Sequence, residues 1–477
     1  MRKNICIFFL LILVSVEFCV AQPGKIIKVA AIGASITYGY GTANRQTKAF
    51  PAQLQTMLCN KYEVHNYGVS GSTMLMKGDL PYSKTKEFQQ ALALNPDVVL
   101  IDLGGNDSKL INRVYADDIE NNCHFFIESF SKLSSHPRIM ILLPIVSFVK
   151  DSSGIYDPVI VDTIIPHLQQ AAFADNVEVV NMHPLLINHP ELMPDKIHPN
   201  AQGAFIMARK LYQVIAHQTD SSFNIYSSLP TPNKISSFYG YRCIDFTVDN
   251  HSCKVVQPKA AAVGHPWIWR ARFWGHEPQT DIALLEQGFH LVYCDVAELL
   301  GNKACIDIWN HFYSILHNAG LSEKAVMEGM SRGGVYVFNW AVVNSNKIAS
   351  VYADNPLLNI RSWALKMDSV NADDDMLKAF KKDYNIQSRE QILNFKNNSV
   401  DEVKKIVKGH YPILIVCADA DEAVSPAENT LLFEQRIKQH GGNITVIHKP
   451  GFKHHPHSLP NPEPIVDFIL KDTGKNL

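Results

Sequence analysis

Apolar positions along this chain come in short blocks separated by longer amphipathic stretches, and the alternation runs almost from end to end. Between residue 25 and about 217, strand-like runs stand at 28–32, 62–67, 98–103, 138–143 and 177–180. The intervening stretches, 50–58 and 119–133 among them, carry apolar residues at helical spacing. Five buried strands separated by helices imply a parallel, doubly wound sheet covered on both faces. The alternation stops at 218–235, where Ser, Thr, Asn and Pro crowd together in the manner of a linker. It restarts beyond, with runs at 244–248, 268–273, 290–294, 324–328, 349–352, 412–416 and 444–448. The expected organisation is therefore two consecutive three-layer α/β/α domains, 22–217 and 236–477, the second showing no repeat of the first.

The first 21 residues stand outside that pattern. Arg2 and Lys3 precede an apolar stretch at 5–16, and Cys19, Val20 and Ala21 then supply small residues where a signal peptidase cuts. This segment, 1–21, is expected to be a cleaved signal peptide, placing the protein in the periplasm or outside the cell. The apolar run is short for a membrane span, and no other stretch qualifies. Phe18 before Cys19 fits a lipoprotein signal poorly. Lys and Arg number 44 against 46 Asp and Glu, a balance that disfavours nucleic acid as a partner, because binding a polyanion needs clustered positive charge. Of nine cysteines, seven remain after cleavage. With no CxxC spacing they indicate neither a zinc site nor a full disulfide framework, and leave room for one or two bridges whose pairing the sequence does not fix. No cofactor or metal is expected, and the oligomeric state stays open.

Chemistry enters at the strand ends. Ser35 sits in GASIT (33–37) after the first run, a place where open α/β sheets put their ligands, although a serine there also reads as a helix cap. NYGVSGST (66–73) follows the second run, GGND (104–107) the third, and DKIHPN (195–200) precedes the last helix of the unit. In this order the four blocks resemble those of the SGNH, or GDSL-type, hydrolase family, over roughly residues 25–217. The resemblance implies a flavodoxin-like fold with Ser35 as nucleophile, His198 as general base and Asp195 as its orienting acid. It further implies an oxyanion hole from the backbone N–H groups of Ser35 and Gly71 and the side-chain amide of Asn106. Imidazole suits proton abstraction from a hydroxyl, a carboxylate fixes its tautomer, and fixed donors stabilise the tetrahedral oxyanion. Ala34 stands where the family carries an acid; that acid is not a triad member, so altered hydrogen bonding is expected rather than lost catalysis.

In the second unit GMSRGG (329–334) lies between a strand-like run and an apolar helix, the setting of a G-x-S-x-G nucleophile elbow. CADADEAVSP (417–426) and GFKHHPH (451–457) follow in turn. These segments resemble the acid and histidine loops of α/β-hydrolases of the carbohydrate-esterase kind. The resemblance implies Ser331 as nucleophile, Asp421 rather than Asp419 as acid, and His454 as base, with His455 in reserve. Oxyanion donors would be the backbone N–H of Arg332 and one from the loop 274–277, around Gly275. A metal site at His454, His455 and His457 is not favoured, because no acidic or Cys residue accompanies them in sequence. PWIWRARFW (266–274) reads either as a sugar-stacking, carboxylate-pairing rim or as core aromatics with paired arginines.

The expected activity is that of a bifunctional serine carbohydrate esterase, removing acetyl and also methyl or other acyl esters from a plant-wall glycan such as pectin or xylan. Arg270, Arg272 or Arg332 facing a uronate would favour pectin. Two alternatives stand beside it: a GDSL-type lipase, for which no apolar lid insertion is evident, and one catalytic domain with the other as a glycan-binding module. A peptidase reading of the second unit is weakened by the lack of a propeller or cap domain.

Overall fold

The computed structural model describes residues 25–472, so the expected signal segment lies outside the described residues. Strands β1 (Ile27–Gly33), β2 (Tyr62–Gly68), β3 (Val98–Asp102), β4 (Arg138–Leu143) and β5 (Glu178–Asn181) form one parallel sheet in the order β2-β1-β3-β4-β5. Its two-residue period divides the core. Val29, Ala31, Leu100 and Leu142 face the helices Phe50–Leu58 and Ala201–Ala216, while Ala30, Ile32, Ile101 and Ile141 face Lys86–Ala93, Ile119–Ser131 and Ile165–Ala174. Strand order reverses between β1 and β3, which opens a crevice at their carboxyl ends, where Ser35 and Asn106 follow.

Between the two sheets, β6 (Thr219–Asp220) pairs with β10 (Ala261–Ala262), and Ile225 is buried in the core of the second unit. The second sheet has nine strands in the order β16-β15-β14-β13-β11-β12-β9-β8-β7. Its antiparallel edge is β7 (Lys234–Phe238), β8 (Tyr241–Val248) and β9 (His251–Val256). The parallel part is β11 (Trp267–Arg270), β12 (His290–Cys294), β13 (Ala325–Met330), β14 (Ile348–Asp354), β15 (Ile413–Ala418) and β16 (Ile444–Lys449). The apolar runs announce neither β7, an edge strand with only Phe238 buried, nor β9, which lies between β12 and β8 and begins with the half-exposed and exposed His251 and Ser252. The chain is thus two α/β units, a flavodoxin-like one followed by an α/β-hydrolase one.

The structure bears on three readings of the sequence. Trp267 and Trp269 are fully buried beside Trp309 and Trp340, and Arg270 is buried against Asp281 (2.7 Å) and Glu328 (3.1 Å), so 267–271 is core rather than sugar-binding rim, while Arg272, Phe273 and Trp274 are half-buried. Four helices, Ile360–Val370, Asp375–Asp383, Arg389–Leu393 and Val403–Val407, are inserted between β14 and β15. Their apolar residues, Leu377, Phe380 and Ile392 among them, are spent on packing against the core, which hides the insertion from a search for an apolar lid. Among the described residues no cysteines are bridged, although Cys253 and Cys294 are register partners across β9 and β12.

The two units share a buried seam. Lys210 of the helix Ala201–Ala216 is 2% exposed and lies 2.8 Å from Glu286 and 2.9 Å from Glu463, both on helices of the second unit. Glu286 also accepts the Asn181 N–H at 2.6 Å, and the Tyr241 hydroxyl donates to the Val179 carbonyl.

Candidate active sites

The first site is built where backbones crowd. A side chain on Gly33 would meet Thr37 Oγ1 at 2.2 Å, and one on Gly68 would meet the Tyr38 nitrogen at 2.1 Å. Only glycine lets β1 and β2 close against the short helix Ser35–Tyr38. The loop after β2 is tied to the end of β1 by the Val69 N–H on the Gly33 carbonyl, and within it Gly71 adopts a positive φ of 87°. Asp107, fully buried, accepts the N–H groups of Met74 and Leu75, locking this loop to the one after β3; burial raises its carboxyl to about 6.

Onto this frame the turn before the last helix brings its histidine. His198 Nε2 stands 2.8 Å from Ser35 Oγ, and His198 Nδ1 stands 2.6 Å from Asp195 Oδ2. Asp195 also accepts the backbone N–H groups of Ile197 and His198. Partial burial pushes its carboxyl up, but these hydrogen bonds prevail and hold it below the usual range, so it stays anionic. Asn106 and Ser35 line one narrow cleft whose walls include Pro144, Ile145, Ile155 and Ile160. Asn106 spends one amide N–H on the Ser72 carbonyl at 3.1 Å, which leaves the second N–H of the same group as a donor. Two residues the sequence reading passed over support this site. Asp102 lines the cleft and accepts the Thr37 hydroxyl at 2.7 Å, and the Tyr40 ring lies 4.6 Å from that of His198.

The second site repeats the arrangement of side chains on a different frame. Ser331 follows β13 with φ +49°, a left-handed conformation uncommon for serine and the mark of a strained elbow. A side chain on Gly329 would press on Gly333 at 3.0 Å, which is why small residues flank the turn. His454 Nε2 lies 3.0 Å from Ser331 Oγ, and His454 Nδ1 lies 2.6 Å from Asp421 Oδ2. Burial raises Asp421, but His454 and the N–H groups of Val424 and Ala423 outweigh it and lower the carboxyl overall. Asp419 instead pairs with His448, and His455 stays out of the relay. Arg332 stands at the N-terminus of the helix Gly333–Val343, and the loop after β11 approaches the elbow at Ala271 and Arg272, ahead of Gly275.

Positioning contacts here escaped the sequence reading. Asn355 donates to the His454 carbonyl at 2.9 Å and accepts from the Ala418 N–H at 2.7 Å, joining the histidine loop to β15. His457 is buried and spends Nδ1 on Asp354 at 2.7 Å. The three arginines are occupied: Arg272 and Arg332 both reach Glu298, and Arg270 is in the core. The histidine run also has an acidic neighbour after all, since Glu277 is brought beside His455 and His276 from the loop after β11.

Each sheet thus carries a serine–histidine–aspartate arrangement at its carboxyl edge. Residues 31–204 match the GDSL-like Lipase/Acylhydrolase family. An acetylxylan esterase of Xylanibacter ruminicola is 38% identical over an alignment of 208 residues that covers 40% of this chain and 42% of that protein. The match thus spans less than half of that relative. Among solved structures, Est1E from Butyrivibrio proteoclasticus is 19% identical with a TM-score of 0.36, covering 49% of this chain and 99% of that one. An S-formylglutathione hydrolase from Agrobacterium tumefaciens is 14% identical with a TM-score of 0.38, covering 51% and 98%. Neither structural likeness bears on what this chain does. Among the described residues no helix is long and apolar enough to cross a membrane.

Proposed function

We propose that this chain is an exported serine carbohydrate esterase with two active sites, one per unit, divided near residues 218–235. Two separate relays, each with its serine at a strand end and its histidine held by an anionic aspartate, carry the reading. At the first site Ser35 Oγ attacks an ester carbonyl while His198 Nε2 takes its proton. The oxyanion forms against the N–H groups of Ser35 and Gly71 and the free N–H of Asn106. The sugar hydroxyl leaves with the proton from His198, and water, deprotonated by the same imidazole, releases the acid from the acyl-serine. Ser331, His454 and Asp421 perform the same steps at the second site, with Arg332 N–H as an oxyanion donor.

Acetyl groups on xylan or pectin are the substrates we favour for the first site. The apolar walls of its modest cleft suit a small acyl group, and similarity to an acetylxylan esterase supports the choice. The test compares wild type, Ser35→Ala, Ser331→Ala and the double variant on acetylated xylan, acetylated and methylated pectin, and a long-chain p-nitrophenyl ester. Each single variant should lose one distinct activity. An unchanged profile in Ser35→Ala would make the first unit a glycan-binding module, and preference for long chains would make the protein a lipase.

A further inference from the structure

Four histidines and a glutamate meet beside the second relay from two distant parts of the chain. The His455 ring centroid lies 5.0 Å from that of His454, 4.8 Å from His457 and 5.8 Å from His276, and His276 lies 6.1 Å from His457. Imidazoles arranged tetrahedrally around one ion at the usual metal–nitrogen distance have centroids about 5 Å apart. His276, Glu277 and His455 bring ligand atoms within 4.8 Å of one another, as do His454, His455 and His457. His454 is committed to Asp421 and Ser331. His457 spends Nδ1 on Asp354, the carboxylate backing that metal-binding histidines commonly have, and this leaves Nε2 as its remaining ligand atom. Glu277 Oε2 is buried without a hydrogen-bond partner, 3.7 Å from His276 Nε2. A buried carboxylate oxygen in that condition carries an unmet demand for a cation or donor.

Both walls are braced. The Arg270 guanidinium, anchored in the core, donates to the carbonyls of Phe273 and His276 at 3.1 and 3.0 Å, and Ser458 N–H joins His457 on Asp354. We infer that His276, Glu277, His455 and His457 form a binding site for a divalent transition metal of the zinc class at the mouth of the second site. Three imidazoles and one carboxylate suit Zn2+ or Co2+ and not Mg2+ or Ca2+, which prefer all-oxygen shells. His276, Glu277 and His455 are already gathered, and His457, grouped with His455 alone of these, closes in as the fourth ligand. If Ser331 acts as proposed above, an ion there stands in the path to it and slows its acylation.

Binding is read without any turnover, by titrating the metal-free full chain with Co2+ and following the visible absorption of tetrahedral cobalt, then displacing it with Zn2+. One equivalent should bind, at least about tenfold more weakly in Glu277→Gln and in His276→Asn. His448→Asn, in the separate Cys417–Asp419–His448 group, should leave affinity unchanged. Tryptophan emission verifies that each variant is folded. Absence of the tetrahedral spectrum in wild type, equal affinity in the Glu277→Gln/His276→Asn double variant, or loss in His448→Asn would each overturn the assignment.

Discussion

Replacing Lys210 by Met removes the buried cation from a seam in which Glu286 and Glu463 of the second unit face a helix of the first, and leaves only the half-exposed Arg209, 3.9 Å from Glu463, on that helix. The Lys210 ammonium is 2% exposed and sits 2.8 and 2.9 Å from two carboxylates, so neither water nor salt screens the pair. Losing one partner of a buried ion pair costs about 3–5 kcal/mol, because the remaining charge stays desolvated. Here two like charges remain. Burial already raises the Glu286 carboxyl, Lys210 opposing that rise, and without Lys210 it climbs further. A carboxyl whose folded pKa exceeds its unfolded value destabilises the fold progressively as pH rises from the lower value to the higher. The deficit in Lys210→Met should therefore grow as pH rises. Urea unfolding followed by two probes measures it. All six tryptophans lie between 267 and 363, so emission reports the second unit while far-UV circular dichroism reports both. Wild type should show coincident transitions, and Lys210→Met separated ones, with the Lys210→Met/Glu286→Gln/Glu463→Gln variant recovering most of the loss. A penalty under about 1 kcal/mol at pH 8 with coincident transitions would refute the reasoning.

Removing a single oxyanion donor by Asn106→Ala should lower kcat at the first site about 10²–10³-fold with little change in KM, and leave Ser331-dependent turnover intact. Asn355→Ala frees the His454 loop from β15, so kcat at the second site should fall while that at the first is unmoved; equal kinetics would show that Asn355 does not position the histidine. Burial raises Asp102 to about 6, against which the Thr37 hydroxyl works. Its folded pKa is above the unfolded one, so wild-type stability drops as pH rises from about 4 to 6. Asp102→Asn, which keeps an acceptor for Thr37, should be more stable by about 2–3 kcal/mol in urea unfolding at pH 8 and no more stable at pH 4.

Parallel strands buried on both faces leave continuous apolar runs, which made β1, β3 and β4 legible in sequence, as well as β11 to β15 of the second sheet; β2 was also read, although as an edge strand it has only Gly68 buried, and β9, inside the second sheet, was missed. Edge strand β7 was not read either, since water covers most of its residues. The two relays were legible for a related reason: strand–turn–helix geometry forces particular small residues around a serine, and those leave a local signature. Asn355 and Asp354 leave none. Their value lies in contacts made across the fold to His454 and His457, and a lone Asp-Asn pair after a strand looks like any turn. The tryptophan-rich stretch left two readings open for the opposite reason, because chemistry suited to a sugar surface is equally suited to a core, and the burial of Arg270 between Asp281 and Glu328 separates the two. Glu277 became visible as a neighbour of the histidine run only once β11 and the last loop were placed side by side.

Two independently activated serines are the centre of this account, and covalent labelling with a fluorophosphonate counts them directly. Intact mass should show two additions on wild type, one on Ser35→Ala, one on Ser331→Ala and none on the double variant. A single addition on wild type that survives in either single variant would contradict a second working site.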